Sequence, residues 1–229
     1  MKIYPRVNTL SPDLIERYRE ISPATIGHYL NFNFMRPEIK PLFSNVKIVG
    51  TAFTVKIPTN DSTMLHKAMG MVGKGDVIVI DRMGDTMHSC VGEVIALAAK
   101  TKEVEGIIID GPATDVVEIK KIGVPVFSTG LSVITTKLLG LDGEINTNIQ
   151  CGGVIVKPGD LIFADDNGVL VIDPEEMSKK LLDLALEDEK SEVELKEKLL
   201  SGSTLPDLTK VDKLIENNLM EVIKKIRNK

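Results

Sequence analysis

The sequence predicts an α/β fold whose core is a parallel sheet. Three short runs of branched apolar residues, at 77–80, 106–110 and 124–127, are typical of strands that are buried on both faces. Helices are predicted between these runs, one from Gly92 and one from Asp115. This order gives two successive strand–helix–strand units, and such units almost always form right-handed crossovers in one sheet.

Short helices and one strand region precede this core. Start signals that contain proline, at 11–13 and 22–23, predict two short helices. Residues 46–58 alternate in hydropathy, which predicts a strand or a hairpin. A capping sequence at 61–63 predicts a helix that runs through Met71.

Both helices of the core follow polar segments of the chain. The first comes after a loop over 81–91, begins at Gly92-Glu93 and carries apolar residues at helical spacing. The second comes after the turn DGPATD at 110–115 and runs to Lys121. The polar residues that precede each helix are therefore predicted to lie where the sheet strands end.

A strand-rich segment and then a helical tail follow the core. Gly-Asp, Asp-Asn-Gly and Pro-Gly turns divide residues 152–173 into short predicted strands. From residue 173 onward, 14 acidic and 11 basic residues stand among 57. Leucines at helical spacing predict long amphipathic helices there, with a break at 201–207 and a last helix over 211–227. These helices are expected to pack on the body or on a neighbouring subunit.

Composition excludes several classes of protein. The 229 residues include 28 Lys+Arg and 33 Asp+Glu, and the net charge of −5 gives no electrostatic footprint for nucleic acid or a membrane surface. No Trp occurs, and no aromatic residue follows Phe163, so stacking platforms for bases are scarce. The two cysteines lack CxxC spacing, which excludes a disulfide framework and a zinc knuckle. Without a long apolar run or a signal core, a cytoplasmic protein is expected.

Two turns at the predicted sheet edge carry the candidate chemistry. The unpaired amides from Gly92 to Ile95 could hold a carboxylate or an enolate oxygen, but by themselves they indicate a plain helix start more than a binding site. Asp115 is either a helix cap or a ligand of a hard cation such as Mg²⁺. Because both turns follow adjacent parallel strands, they are expected at the same end of the sheet.

The histidines and the common catalytic motifs point to no other site. His28 and His66 are expected to be packed or exposed, and His88 is expected near the predicted site without a partner. No Ser-His-Asp arrangement, P-loop or GxGxxG occurs in the sequence.

Several segments, in order, resemble the RraA-like family, whose enzymes are 4-hydroxy-4-methyl-2-oxoglutarate aldolases and oxaloacetate decarboxylases. The most telling are SPATIGHYL, DSTMLHKAM, GDVIVID and GEVIALAAKTKEVEGIIIDGPATDVVEIKKIGVPVFSTG, and the similarity spans about 22–205. The resemblance implies a swivelling β/β/α domain with carboxy-terminal helices, assembled as a homotrimer or homohexamer with sites between subunits. It also implies a family domain over 1–205 and a helical extension over 206–229.

The resemblance implies a role for several residues. Asp115 would hold a divalent metal, Mg²⁺ or Mn²⁺, and the amides at Gly92, Val94 and Ile95 would hold a carboxylate of the substrate. Glu93 falls on a position where the family varies among Gly, Asp and Glu. A neighbouring subunit would supply a further Glu, which falls on Glu192 or, failing that, on Glu189.

One position departs from the family pattern. Thr114 stands where the family's active members carry an Arg that binds the substrate's carboxylate and enolate oxygen, and one hydroxyl cannot replace a bidentate guanidinium. Arg82, on the loop before Gly92, would supply the missing cation, unless it is an ordinary surface residue. Alternatively, the protein has another substrate or no aldolase activity.

The leading hypothesis is a divalent-metal-dependent lyase that cleaves a small 2-oxo dicarboxylic acid through a pyruvate enolate. Its substrate would be 4-hydroxy-4-methyl-2-oxoglutarate, oxaloacetate or both, with Glu93 or Glu192 moving protons. The alternative hypothesis is a non-enzymatic RraA-like regulator that binds a protein partner such as a ribonuclease. Thr114 favours the alternative or a changed substrate, whereas Glu93, Asp115 and Glu192 together favour the lyase.

Overall fold

The computed structural model describes residues 1–174 and 179–227, which form two compact units over 1–183 and 184–229. The strands of the described chain are β1 (Lys2–Ile3), β2 (Lys40–Pro41), β3 (Lys47–Lys56), β4 (Asp76–Asp81), β5 (Gly106–Ile109), β6 (Pro112–Ala113), β7 (Val126–Ser128), β8 (Gly130–Leu131), β9 (Glu144–Ile145), β10 (Ile149–Cys151), β11 (Val154–Val156), β12 (Leu161–Asp165) and β13 (Gly168–Ile172). Its helices are α1 (Pro12–Arg19), α2 (Pro23–Gly27), α3 (Thr63–Ala68), α4 (Glu93–Thr101), α5 (Val116–Ile122), α6 (Lys179–Leu200), α7 (Leu205–Thr209) and α8 (Val211–Arg227).

One mixed sheet organises the first unit. Among the described residues, its strands run in the order β1-β9-β3-β4-β5-β7-β2, and β12 pairs with both β3 and β13. The pairs β3–β4, β4–β5 and β5–β7 are parallel. The predicted α/β fold with a parallel core and carboxy-terminal helices is therefore confirmed.

The central strand β4 shows why branched apolar runs form this core. All six of its residues are buried. Ile78 and Ile80 pack in one apolar cluster with residues of α3, α4 and α5, whereas Val77 and Val79 pack in a second cluster with residues of β10 to β13. A strand that is buried on both faces needs apolar side chains at successive positions.

Local signals set the starts of the first two helices. The side chains of Ser11 and Ser22 accept hydrogen bonds from the amides of Leu14 and Thr25, and a proline follows each serine. These caps satisfy backbone donors that have no partner within the helix. The two predicted helix starts are thus confirmed.

Some predicted bounds were wrong. The helix after Ser62 ends at Ala68 and does not run through Met71. Of the two alternatives predicted for residues 46–58, a strand or a hairpin, the strand is confirmed, and it spans Lys47–Lys56. The break predicted at 201–207 contains the start of a short helix, α7.

The described part of the tail contains the long helices that were predicted. α6 has 22 residues and α8 has 17. In the part of the chain that the structure describes, no helix is both long and apolar enough to cross a bilayer. The domain boundary predicted at 205/206 rests on the family resemblance and stays a prediction.

Candidate functional site

The candidate site lies at the edge of the sheet where β4, β5 and β7 end. The loops that follow these strands are tied to one another by backbone hydrogen bonds. The Thr114 amide donates to the Val91 carbonyl at 2.9 Å, and the Thr129 amide donates to the Gly111 carbonyl at 3.0 Å. The two turns that were predicted to share an edge are therefore in contact.

Asp115 reaches across to the first turn of α4. Its Oδ2 atom accepts a hydrogen bond from the Glu93 amide at 3.0 Å, and its Oδ1 atom accepts one from the Thr114 hydroxyl at 3.2 Å. Although Asp115 occupies the N-cap position of α5, its side chain makes no capping hydrogen bond to that helix. The carboxylate therefore accepts a hydrogen bond from the first turn of α4 and none from its own helix, α5.

Two backbone features let the carboxylate take this position. Asp115 has a φ of 52°, in the left-handed region that aspartate and asparagine tolerate better than most residues. A Cβ atom on Gly92 would lie 2.4 Å from the Asp115 Oδ2 atom and 2.8 Å from the Thr114 Cγ2 atom. Residue 92 must therefore be glycine for Asp115 to reach the Glu93 amide.

The surroundings of Asp115 are open to a ligand. Asp115, Glu93 and Val94 are exposed, while Ile95 is buried in the core. Within the described ranges, no carbonyl or side chain accepts a hydrogen bond from the amides of Val94 and Ile95. These amides, at the positive end of the α4 dipole, could hold a carboxylate.

The donor set around Asp115 fits a magnesium-like cation and no protein-built metal cage. Over the described ranges, no group of three or more His, Cys, Asp or Glu side chains converges on one point. Mg²⁺ commonly uses only one or two carboxylates and completes its octahedron with waters and substrate oxygens. The exposed Asp115 carboxylate could provide that single protein ligand, with Mg²⁺ or Mn²⁺ as the cation.

Arg82 is buried beneath the site edge. Its side chain has no exposed surface, so the alternative that it is an ordinary surface residue is wrong. Its Nη1 atom donates to the Thr59 carbonyl at 3.0 Å, and its Nη2 atom donates to Asp85 at 2.7 Å. Its buried Nε atom has no hydrogen-bond partner within the described residues. The predicted role of Arg82 as the substrate-binding cation stays a prediction, and the observed bonds anchor the loop that precedes Gly92.

Asp85 joins Arg82 to His88. The Asp85 carboxylate accepts hydrogen bonds from the amides of Met87 and His88 and lies 2.9 Å from His88 Nδ1. Burial acts to raise the pKa of Asp85, but these hydrogen bonds and the charge of Arg82 outweigh it and lower the pKa. The expectation that His88 has no partner is therefore wrong.

Glu192 belongs to the second unit. It is exposed on α6 and pairs with Lys196 at 3.0 Å, one helical turn further on. Glu189 lies three residues earlier on the same helix. The role predicted for either residue in a neighbouring subunit's site stays a prediction.

A second set of residues, which was not predicted from the sequence, lies at the same edge. Arg36 forms an ion pair with Asp110, and the Gly152 amide donates to the Asp110 Oδ2 atom at 2.9 Å. Arg36 comes from the irregular segment between α2 and β2, which has no periodicity to reveal it. Asp110 was visible only as the residue that ends a predicted strand.

Comparisons with known proteins agree on one family. The model of the RraA-like family, described as Aldolase/RraA, matches residues 20–171. A protein of Halalkalibacterium halodurans with the provisional name 4-hydroxy-4-methyl-2-oxoglutarate aldolase is 34% identical over 204 residues, which cover 89% of this chain and 96% of that protein.

Solved structures share the fold at lower identity. A protein of Pseudomonas syringae has a TM-score of 0.74 at 22% identity, covering 92% of this chain and 97% of its own. RraAS2 of Streptomyces coelicolor, described as an unusual member of the RNase ES inhibitor RraA family, has a TM-score of 0.72 at 23% identity, covering 82% of this chain and 98% of its own. Together with the matched family model, these findings show that the chain belongs to the RraA-like family.

Proposed function

We propose that this protein is a divalent-metal-dependent carbon–carbon lyase that acts on a small 2-oxo dicarboxylic acid. The observation that carries the proposal is the exposed Asp115 carboxylate, held by the Glu93 amide beside the free amides of α4. The relative from Halalkalibacterium halodurans, provisionally named as an aldolase, supports the same class of reaction. The candidate substrates are 4-hydroxy-4-methyl-2-oxoglutarate and oxaloacetate.

The residues of this chain divide the work between binding and proton transfer. Asp115 would hold the cation, and the amides of Val94 and Ile95 would hold the carboxylate next to the keto group. A bound divalent cation would supply Lewis-acid polarisation of that keto group. Glu93, or Glu192 from a neighbouring copy, would accept the proton of the 4-hydroxyl through a water.

The reaction then balances with no further reactant. When the 4-hydroxyl loses its proton, the C3–C4 bond breaks. The electron pair of that bond forms the enolate of one pyruvate, and C4 becomes the keto carbon of the second pyruvate. The proton returns to C3 of the enolate. In oxaloacetate, the same bond breaks with loss of carbon dioxide, and a proton is again taken up at C3. The α4 amides lie where they could stabilise the developing negative charge.

Pyruvate release is expected to require both the protein and a divalent cation. Each substrate would be incubated with Mg²⁺ or Mn²⁺, with and without a chelator, and pyruvate would be followed by a coupled assay. Free metal ions also decarboxylate oxaloacetate, so each rate would be compared with a protein-free mixture that holds the same metal. Rates equal to that background on both substrates would contradict the proposed lyase.

A second candidate function is regulation through a protein partner. It is favoured by Thr114, which leaves the site without the family arginine, and by apolar side chains that are exposed on the segment 131–141. RraAS2, whose fold this chain shares, is described as a member of an inhibitor family of RNase ES. A protein that releases no pyruvate but inhibits cleavage of RNA by a ribonuclease of this type would support this function instead.

We infer that copies of the chain associate through the apolar surface around the site. Val94 on α4, Val117 on α5, and Val133 and Leu138 on the segment 131–141 are all exposed, and Val133 is 95% exposed. Several large apolar side chains exposed on neighbouring segments commonly mark an interface. A homotrimer or homohexamer is the assembly that the family resemblance implies.

Val133→Lys is expected to lower the mass of the assembly in solution. A charge that must be desolvated within an apolar interface opposes association, whereas the side chain is free in the monomer. Sedimentation velocity of the wild type and of the variant would measure the mass, with the substitution Asp13→Asn at an exposed position of α1 as a control. A wild type that sediments as a monomer at micromolar concentrations would contradict the inference.

A further inference from the structure

We propose that Arg36 binds the distal carboxylate of the substrate, the one remote from the keto group. The inference rests on the proposed function, because it takes a 2-oxo dicarboxylic acid as the ligand. Asp115 and the α4 amides are assigned to the keto-acid end, so a dicarboxylate needs a second cationic contact. Arg36 lies at the same sheet edge and has hydrogen-bond donors to spare.

A closed set of contacts holds Arg36 at this edge. Its backbone amide donates to the Gly152 carbonyl at 2.8 Å, and the Gly152 amide donates to the Asp110 Oδ2 atom at 2.9 Å. The Asp110 Oδ1 atom in turn accepts from the Arg36 guanidinium. Because Asp110 directly follows β5, these contacts fix the guanidinium where a parallel strand ends. Ligands of open α/β sheets commonly bind there.

Asp110 orients the guanidinium of Arg36 but leaves most of its N–H donors available to a ligand. Asp110 is 6% exposed, and its two oxygens accept from Gly152 and Arg36, whereas the Arg36 side chain is 43% exposed. Of the guanidinium nitrogens of Arg36, only Nη2 donates to a protein acceptor within the described ranges. A guanidinium has five N–H donors, so several remain for a ligand. An arginine that is already held in place loses less conformational entropy when it binds a carboxylate.

A cavity of about 320 Å³ opens beside Arg36. Its lining includes Arg36, Glu38, Thr86, Asp110, Pro112 and Thr129. This volume falls at the lower end of the range of about 300–1,000 Å³ that small-molecule sites occupy. Pro112 is three residues before Asp115, so their Cα atoms are at most about 11 Å apart. The cavity is therefore close to the position assigned to the keto acid.

Arg36 is the group of this cavity that could pair with a carboxylate. Of its lining residues, all within the described chain, Arg36 alone is positively charged. Asp110 is committed to Arg36 and Gly152, and Glu38 is exposed, so water and salt screen its charge. The hydroxyls of Thr86 and Thr129 add neutral donors. This arrangement also supplies a guanidinium to a site that has Thr114 where the family pattern has arginine.

The test compares two ligands that cannot undergo the cleavage. 2-Oxoglutarate lacks the 4-hydroxyl and keeps both carboxylates, while 2-oxopentanoate lacks the distal carboxylate. With Mg²⁺ present, calorimetric titration is expected to show weaker binding of 2-oxoglutarate to Arg36→Gln, by about 10–100-fold, the effect of losing one hydrogen-bonded charge contact. Binding of 2-oxopentanoate is expected to stay unchanged. Arg36→Lys is expected to fall between the wild type and Arg36→Gln.

Arg6 offers a matched control. It forms a two-bond ion pair with the buried carboxylate of Asp76, at 2.7 and 2.9 Å, at the amino end of β4 and so at the opposite edge of the sheet. Arg6→Gln therefore breaks a comparable pair and is expected to leave 2-oxoglutarate binding as in the wild type. Equal losses in Arg6→Gln and Arg36→Gln, or equal losses for both ligands, would overturn the proposal.

The proposed function and this inference fail separately. If the wild type binds 2-oxoglutarate through Arg36 but releases no pyruvate, the lyase is wrong and the carboxylate site stands. If pyruvate is released and Arg36→Gln leaves KM for both substrates unchanged, the lyase stands and the role of Arg36 is wrong. Failure of the wild type to bind 2-oxoglutarate would overturn the role of Arg36 directly.

Discussion

Asp115→Asn is expected to lower kcat/KM for pyruvate release by about 10²–10³-fold, the usual cost of losing one preorganised electrostatic contact in an active site. Asparagine keeps the shape of the side chain and also tolerates the φ of 52°. It removes the negative charge that would hold the cation. The measurement is the initial rate of pyruvate release at saturating Mg²⁺ for both candidate substrates.

Two further variants make the Asp115 test specific. Asp13→Asn, at an exposed position in the first turn of α1, removes one carboxylate elsewhere and is expected to leave the rate unchanged. Gly92→Ala keeps Asp115 but places a methyl group 2.4 Å from its Oδ2 atom, which forces the carboxylate away, so a comparable loss is expected. A rate for Asp115→Asn within twofold of the wild type would exclude Asp115 as the metal ligand.

Asp61→Asn is expected to cost about 3 kcal/mol in the free energy of unfolding, because hydrogen bonds to a buried charge are lost and donors are left facing an amide group. Asp61 has no exposed surface. Its carboxylate accepts from the amides of Thr63, Leu139 and Leu141 at 2.9, 3.0 and 2.6 Å, and also from the Thr63 hydroxyl. Through the amides of Leu139 and Leu141, Asp61 holds the segment that follows Lys137 in place.

The stabilisation by Asp61 is expected to vanish in acid. Burial acts to raise the pKa of Asp61, but its hydrogen bonds to the Thr63 hydroxyl and to the amides of Leu139, Leu141 and Thr63 outweigh burial and hold the pKa well below its ordinary value of 3.8. A carboxyl with a lowered folded-state pKa stabilises the fold fully above its unfolded-state pKa. It loses that effect as the pH falls through the folded-state pKa.

Urea unfolding at a series of pH values, from about pH 7 to about pH 3, would measure this effect. The difference in unfolding free energy between the wild type and Asp61→Asn should be constant near neutrality and should shrink below about pH 4 as protonation begins. Asp13→Asn is expected to show a difference of a few tenths of a kcal/mol at each pH, as is usual for an exposed helix-end charge. A difference between the wild type and Asp61→Asn that grows as the pH falls would contradict the sign derived for Asp61.

Parts of the fold with strong local signals could be predicted from the sequence. The strands β4 and β5 stand out because both of their faces are buried, which demands an unbroken apolar run. The helices α1 and α2 stand out because a serine cap and a proline mark each start. Strands of two or three residues such as β1 and β9 exist only through pairing with distant strands, so no local pattern announces them.

The candidate site was predicted only in part. Asp115 and Gly92 could be placed at one edge because adjacent parallel strands end there. The direct contact between them depends on the left-handed backbone of Asp115, which no spacing rule reveals. The burial of Arg82 and the partner of His88 depend on the conformation of the loop after β4. A sequence shows the length of a loop but not its conformation.

The sequence by itself determined the order of the core strands and helices, the family, and the acidic residue Asp115 at the start of the helix in the second strand–helix–strand unit. These follow from periodicity, caps and matched segments, all of which are properties of neighbouring residues. Only the tertiary structure decided that Arg82 is buried, that Asp110 holds Arg36 and that a cavity opens beside that guanidinium. Arg36 and Asp110 are distant in the chain and meet only when the sheet forms, because an ion pair between remote residues needs the whole fold to bring them together.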